Sequence, residues 1–275
     1  MLSRLLRAGW SMIPSFRTSF VALLLSGVFI APAHPREASI PNIAGLWDRG
    51  GTAGSTYRSP ESGPGPIVDI AGDEEGAGWR GNYDSPILQP WAAAVVKEKV
   101  DNDIAGINMP EPKELCLPMG VPHILQMNGV VEILPTPDVV ALLYARAMQA
   151  RIVYLNESHP ADLTPSYYGH SVGHWEGDTL VVDTIGLDDS TPIEMFATPH
   201  TEQLRVVERY RLIEDGNILR TDLMVEDPGA FTTPWKAYVT YSEPVDTFWE
   251  FTCPENNRFP DGSTVPMPMD ETPDF

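Results

Sequence analysis

From about residue 121 onward, the apolar residues of this chain recur with a period of two, in short runs bounded by turn residues. Residues 130–134, 139–144, 151–155, 204–213, 218–225, 235–241 and 247–253 read as strands, and 168–184 reads as two more joined at Glu176-Gly177-Asp178. Pro135-Thr136-Pro137-Asp138 and Glu214-Asp215-Gly216-Asn217 supply turns. Strands this short, with no helices alternating between them, predict a mainly β chain. The expected form is an antiparallel barrel or strongly bent sheet, calycin-like in outline.

The chain before these strands is different in kind. Residues 34–90 are rich in Gly, Pro and Ser, and Ser59-Pro60-Glu61-Ser62-Gly63-Pro64-Gly65-Pro66 suits neither a helix nor a central strand. This predicts an extended N-terminal arm, in which 43–47 has the composition of a short pairing strand. One short helix is expected at 91–100, where Pro90 precedes the run and Ala93, Val96 and Val100 have helical spacing. The expected organisation is a signal peptide at 1–33, the arm at 34–90, a β-barrel domain with its N-terminal helix at 91–258, and a Pro-rich disordered tail at 259–275.

Arg4, Arg7 and Arg17 precede an uncharged, mostly apolar stretch at 20–30, which ends at Ala31-Pro32-Ala33. That is the form of a secretory signal cleaved after Ala33. The apolar run is shorter than the roughly 20 residues a membrane span needs. The alternative is an uncleaved N-terminal anchor. No later segment has the length of a span, so the expectation is a periplasmic or secreted protein that is not integral to a membrane. Its formal charge of −20 becomes more acidic still once the signal's arginines are removed. Such a surface repels nucleic acid and anionic lipid. Cys116 and Cys253 are the two cysteines. In an oxidising compartment an even pair suggests one disulfide, the alternative being two separate buried thiols. No Cys/His cluster has zinc spacing, and there is no P-loop or dinucleotide fingerprint, so neither metal nor cofactor is expected.

Gly169-His170-Ser171-Val172-Gly173 has the spacing of a hydrolase nucleophile elbow. An elbow needs a strand before the Ser and a helix after it, on a parallel sheet. Here a turn and the β-branched run Thr179-Leu180-Val181-Val182-Asp183-Thr184 follow instead. The stretch reads as a hairpin, with Ser171 an ordinary strand residue and Glu176 and Asp178 turn residues.

Alternation along 204–213 puts Glu208 on the apolar face with Leu204, Val206, Tyr210 and Leu212. A carboxylate there is either a structural group paired with an Arg or an acid/base in a cavity. Arg151 shares its side with Val153 and Leu155, and is either the partner of Glu208 or a clamp for a ligand anion. His170 and His174 lie four apart on one strand face, too far apart to share a metal. His170 is a candidate acid/base, against a hydrogen-bonded strand histidine. His159 and His200 sit at loop junctions, where functional residues collect. Tyr144, His200, Trp235 and Trp249 are candidates for lining a ligand cavity of the kind barrels enclose.

The run 169–184 resembles the signature of a large family of exported bacterial proteins with no assigned activity. The resemblance spans about 115–258. It includes Cys116 before Gly120-Val121-Pro122, Arg151 before His159-Pro160, Pro199-His200-Thr201, Glu208-Arg209, Asp227-Pro228 and Thr233-Pro234-Trp235, and Phe248-Trp249-Glu250-Phe251-Thr252-Cys253-Pro254-Glu255-Asn256. Members often carry a Glu where this chain has Ala145, and Asp-Gly-Arg where it has Asn156-Glu157-Ser158.

The leading expectation is therefore an exported barrel that binds a small aromatic or sugar-like molecule, with Glu208, Arg151, His170 and aromatic residues lining the site. The first alternative is a cofactor-independent lyase, isomerase or hydrolase. In it Glu208 or His170 moves a proton and Arg151 stabilises an anion. The second is a scaffold acting through its arm and tail.

Overall fold

The structure, a computed structural model, describes residues 42–50, 56–71, 79–107, 109–146, 148–244 and 247–253. The expected signal peptide and the Pro-rich tail lie outside the described residues.

Among the described residues, nine strands run in chain order: β1 (Gly45–Asp48), β2 (Val130–Pro135), β3 (Val139–Tyr144), β4 (Gln149–Leu155), β5 (His170–Glu176), β6 (Thr179–Ile185), β7 (Arg205–Ile213), β8 (Ile218–Glu226) and β9 (Trp235–Ser242). Each pairs with the next, and β1 pairs with β9, so the sheet is a closed barrel. The mainly β architecture, with a single α-helix among the described residues, is as the sequence predicts. Two details differ. Residues 247–253 form no strand; their apolar content packs as irregular chain. And β4 and β5 run parallel, Val153 opposite Ser171, whereas every other neighbouring pair is antiparallel. Closure explains this second difference. A ring with an odd number of strands cannot reverse direction at every step, so one pair must be parallel. A parallel pair needs a long crossover, and the chain from 156 to 169 provides it.

The sequence makes its hairpins locally. Gly177 takes φ +64° between Glu176 and Thr179, which pair directly; a two-residue turn with this twist favours Gly at its first position. Gly173 has a different reason. A Cβ there would lie 2.7 Å from the Val153 side chain and 3.0 Å from the Val181 carbonyl, where β4 and β6 press on β5. The Gly-rich character of the signature thus serves a tight turn and a close strand contact.

The arm contributes β1 and then lies along the barrel. The backbone of Arg58 pairs with Tyr238 on β9, and the Tyr57 hydroxyl donates to the Pro122 carbonyl at 2.8 Å. The seam between β1 and β9 has a single register pair, Asp48 with Ser242. Buried Arg49 reinforces it, donating to the carbonyls of Leu125 at 3.2 Å, Thr56 at 3.0 Å and Thr240 at 3.5 Å. Helix α1 (Pro90–Ile104) opens with Pro90 in its first turn, where a missing N–H costs nothing. It buries Ala92, Val96 and Val100 against the domain. Among the described residues, no helix is long and apolar enough to cross a membrane.

Candidate functional site

Strand alternation turns one side chain in two toward the barrel axis, and most of those are aliphatic or aromatic. The exceptions meet. Arg151 of β4 and Glu208 of β7 have side chains 2 % and 0 % exposed. Nη1 of Arg151 donates to Oε1 of Glu208 at 2.9 Å, and Nη2 donates to Oε2. Nε donates to the Ser171 hydroxyl at 3.0 Å and Nη2 to that of Thr184 at 2.6 Å, while the Tyr210 hydroxyl donates to Oε1 of Glu208 at 2.7 Å. Burial opposes the guanidinium charge, but the facing Glu208 more than offsets it and holds the Arg151 pKa above its ordinary value. Tyr144 also faces this network, its phenol pushed up by burial. The structural alternative for both charged residues is thus the one observed: each satisfies the other in a packed interior.

Ser171 is therefore more than an ordinary strand residue, though not a nucleophile. It is 2 % exposed, and its hydroxyl is shared between Arg151 and Thr184. The strand that follows its turn excludes the elbow geometry.

His170 is next to Ser171 in sequence, so it points to the other side of the barrel wall. There its ring stacks on Tyr154, centroids 5.2 Å apart, and its Nδ1 lies 3.0 Å from Nδ1 of His159. The structure does not bring His170 to Arg151 and Glu208. His174 is exposed on the same outer face, 3.2 Å from Glu176. Asp183 holds Arg205 in a two-point pair at 2.9 and 2.8 Å, a bond between β6 and β7.

The remaining candidates are separate again. His200 is buried, with Nδ1 3.0 Å from the Thr201 carbonyl, beside Asp227, which accepts from the Thr201 N–H and hydroxyl. Burial lowers its pKa. Trp235 is core, between Tyr57 and Phe231. Trp249 is half-buried against Gly129. Cys116 and Cys253 sit at disulfide distance, Cα atoms 5.6 Å apart. Among the described residues, no group of three or more His, Cys, Asp or Glu gathers to hold a metal.

A different place has the character of a site. A cleft of about 310 Å³ opens between two irregular segments, one around the 3-10 turn Pro112–Leu115 and the other the loop that joins β6 to β7. Its walls are largely apolar, formed by Met109, Pro110, Leu117, Pro192 and Met195 among others. Two buried polar residues also line it: His123, from the 3-10 turn His123–Gln126, and Glu194. They are 1 % and 2 % exposed. One His123 nitrogen bonds the Pro192 backbone, and Nδ1 has no partner. Oε2 of Glu194 accepts the Phe196 N–H at 2.8 Å, and Oε1 has no partner. The Thr198 hydroxyl lies beside this carboxyl but outside hydrogen-bond geometry, its own oxygen also unpartnered. Burial, and then the charge of Lys113, lower the His123 pKa to about 3. Burial raises that of Glu194 to about 7, against the opposing influence of the nearby Thr198 and of the Phe196 N–H.

Packing holds the cleft open to its shape. Gly120 takes φ +73°, and a Cβ there would lie 2.3 Å from Oγ1 of Thr191, so the β6–β7 loop closes directly on the backbone before His123. Cys116, between lining residues Leu115 and Leu117, ties the opposite wall to Cys253.

Sequence reasoning missed both polar residues because neither lies in a periodic segment. The available signal was an acid within an apolar loop run, Ile193-Glu194-Met195-Phe196, and a histidine directly after Gly120-Val121-Pro122. Compared with protein-family models and with curated proteins, the chain matches none.

Proposed function

We propose that this chain is an exported β-barrel protein that binds a small aromatic molecule in the cleft between the Pro112–Leu115 turn and the β6–β7 loop. The observation that carries the reading is the cleft of about 310 Å³ with its largely apolar wall, which the buried side chains of His123 and Glu194 also line. Methionine sulfur makes favourable contacts with aromatic rings, and Met109 and Met195 both line the cleft. The volume falls at the small end of ordinary ligand pockets. Of the aromatic and sugar-like ligands the sequence suggests, the aromatic is better supported. Sugars stack on rings, and the apolar part of the cleft wall is built mainly from Met, Leu and Pro.

The barrel interior is less favoured, since Arg151 and Glu208 neutralise each other there. The enzymatic alternative built on Glu208, His170 and Arg151 loses support for the same reason, with His170 on the outer face. Export rests on the N-terminal segment, and the Cys116–Cys253 pair is compatible with an oxidising compartment. Membership of the exported family rests on the 169–184 signature. Ala145 is fully buried beside the β3 end, and Asn156 opens the β4–β5 crossover, so the two departures fall outside the cleft.

Two measurements test the reading. Protein labelled with ¹³C at its methionine methyls is titrated with para-(hydroxymethyl)acetophenone and, separately, with methyl β-glucoside. Saturable shifts of the Met109 and Met195 methyls with the aromatic compound are expected. No shift at either methyl would remove the cleft as the ligand site. Expression of the full chain in a bacterium, followed by mass measurement of the exported product, is expected to give a protein beginning at His34. Retention of the whole chain in the cytoplasm would overturn export.

A further inference from the structure

The outer face of the barrel at β7, β8 and β9 carries a second cleft, of about 580 Å³, which shares no lining residue with the first. Its charged lining residues are Arg209 and Arg211 of β7, Asp222 of β8 and Lys236 of β9. Three cations thus accompany one carboxylate, in a chain whose acidic residues outnumber its basic ones by 38 to 18. Strand register places them. On the outer side Val207, Met224 and Lys236 are neighbours in one row, Arg209 and Asp222 in the next, and Arg211 and Arg220 in the row beyond. The cations are unequally compensated. Glu176 of β5, from outside the cleft, accepts from Nη2 of Arg209 at 2.6 Å. Asp222 is shared between two guanidiniums. Arg220 holds its Oδ1 at 2.8 and 2.6 Å, and lies over the Tyr238 ring 4.0 Å from the centroid. Arg211 reaches only Oδ2, at 3.3 Å. It also stands directly opposite Arg220 in the ladder, where like charges repel. Among the described residues, the Lys236 ammonium has no ion-pair partner.

Arg211 and Lys236 are therefore the cations of this cleft most short of a counter-charge, and they stand at opposite corners of it. Arg211 is level with Thr240 through Arg220, two strands away and four residues from Lys236. Sheet spacings put their Cα atoms roughly 15 Å apart. Apolar Met224 lies on the strand between them. We infer that this cleft is a second binding site, for an elongated small molecule with an oxyanion group, carboxylate or phosphate, at each end of a short apolar spacer. Arg211 takes one end through its planar pair of donors, Lys236 takes the other as a point charge, and Met224 meets the spacer. A single compact anion held by one of the two leaves the other uncompensated. A long polyanion is repelled by the acidic chain as a whole, whereas a small dianion feels mainly the charges within about 8–10 Å of it. Both cations are exposed, so each contact contributes up to about fivefold in affinity and weakens with salt.

The test titrates the ¹³C-methionine protein at neutral pH and low salt. Adipate carries an oxyanion at both ends, hexanoate at one end and hexanediol at neither. Hexanediol bisphosphate replaces both carboxylates by phosphates, and inorganic phosphate supplies a single compact ion. Adipate or the bisphosphate is expected to shift the Met224 methyl saturably and to leave the Met109 and Met195 methyls unmoved, since those line the other cleft. The tighter of the two identifies the end group. Hexanoate is expected to bind about fivefold more weakly than adipate, and hexanediol not at all. In Arg211→Gln and in Lys236→Gln, the tighter two-ended ligand is expected to lose about fivefold in affinity. Both side chains are exposed, so the variants are expected to keep the unfolding midpoint of the unaltered protein. Hexanoate or inorganic phosphate binding as tightly as either two-ended ligand would overturn the site, as would unchanged affinity in both variants. Absence of a Met224 shift with every probe would overturn it too. That result leaves the aromatic-binding cleft standing, because its own reporters are Met109 and Met195.

Discussion

Arg151 and Glu208 come from strands on different parts of the barrel wall and meet inside it as a two-point ion pair closed to solvent. Removing two charges from water is costly, and the pairing and its hydroxyl partners offset that cost. The consequence is asymmetric. Glu208→Gln leaves an unpaired buried guanidinium and is expected to destabilise by about 3–5 kcal/mol. Arg151→Met with Glu208→Leu removes both charges and is expected to recover most of that loss. Denaturant unfolding of the single and double variants measures it; additive losses would show that the pair is not coupled.

Ser171 belongs to that network and not to a catalytic elbow. Ser171→Ala removes the acceptor for Nε of Arg151 and is expected to cost about 1–3 kcal/mol. A fluorophosphonate reagent is expected to leave Ser171 unlabelled, because its hydroxyl is buried and no base addresses it. Stoichiometric labelling detected by mass spectrometry would restore the hydrolase reading.

The cleft residues give stability a pH dependence in two opposed directions. Glu194 has a folded pKa of about 7 against 4.5 unperturbed, so over that window the folded protein keeps a proton the unfolded chain has lost. Stability from this group is therefore full below about pH 4.5 and falls as pH rises to 7. Relative to Glu194→Gln, the unaltered protein is expected to lose up to about 3 kcal/mol across that window, at 1.4 kcal/mol per unit. His123 has a folded pKa of about 3 against 6.5, so its contribution is full above pH 6.5 and falls as pH drops toward 3. Thermal unfolding of Glu194→Gln and His123→Leu from pH 4 to 8 resolves the two. A gap between Glu194→Gln and the unaltered protein that does not change with pH would contradict the burial assigned to Glu194.

The Cys116–Cys253 pair ties one cleft wall to the chain beyond β9. Its reduction, or Cys116→Ser with Cys253→Ser, is expected to lower stability by about 2–5 kcal/mol. Ligand affinity is expected to fall with it, because Leu115 and Leu117 flank Cys116. Unchanged unfolding on reduction would show that the pair carries no structural constraint.

Much of this was legible from the chain alone. Glu208 on the apolar face of β7 and Arg151 on the inner side of β4 follow from alternation, and their structural pairing was one of the two readings open for each. His170 was the instructive difference. Alternation groups residues on a face but does not say which face is inside; the pairing of Ser171 with Thr184 decided that, and sent His170 outward. The strand expected at 247–253 has strand-like composition, yet the ring is already closed by β1 and β9, which leaves it no edge to join.

Sequence by itself determined the local elements: strands where the apolar period is two, turns where Gly and Pro set the backbone, and one helix after Pro90. These depend on interactions between residues near each other in the chain. Tertiary structure alone decided that nine strands close with one parallel pair, that Ser171 faces Arg151 and Glu208, and that His123 and Glu194 share a cleft. Each of these depends on burial and on contacts between distant segments. Periodicity carries no information about either once the chain enters loops such as the one between β6 and β7.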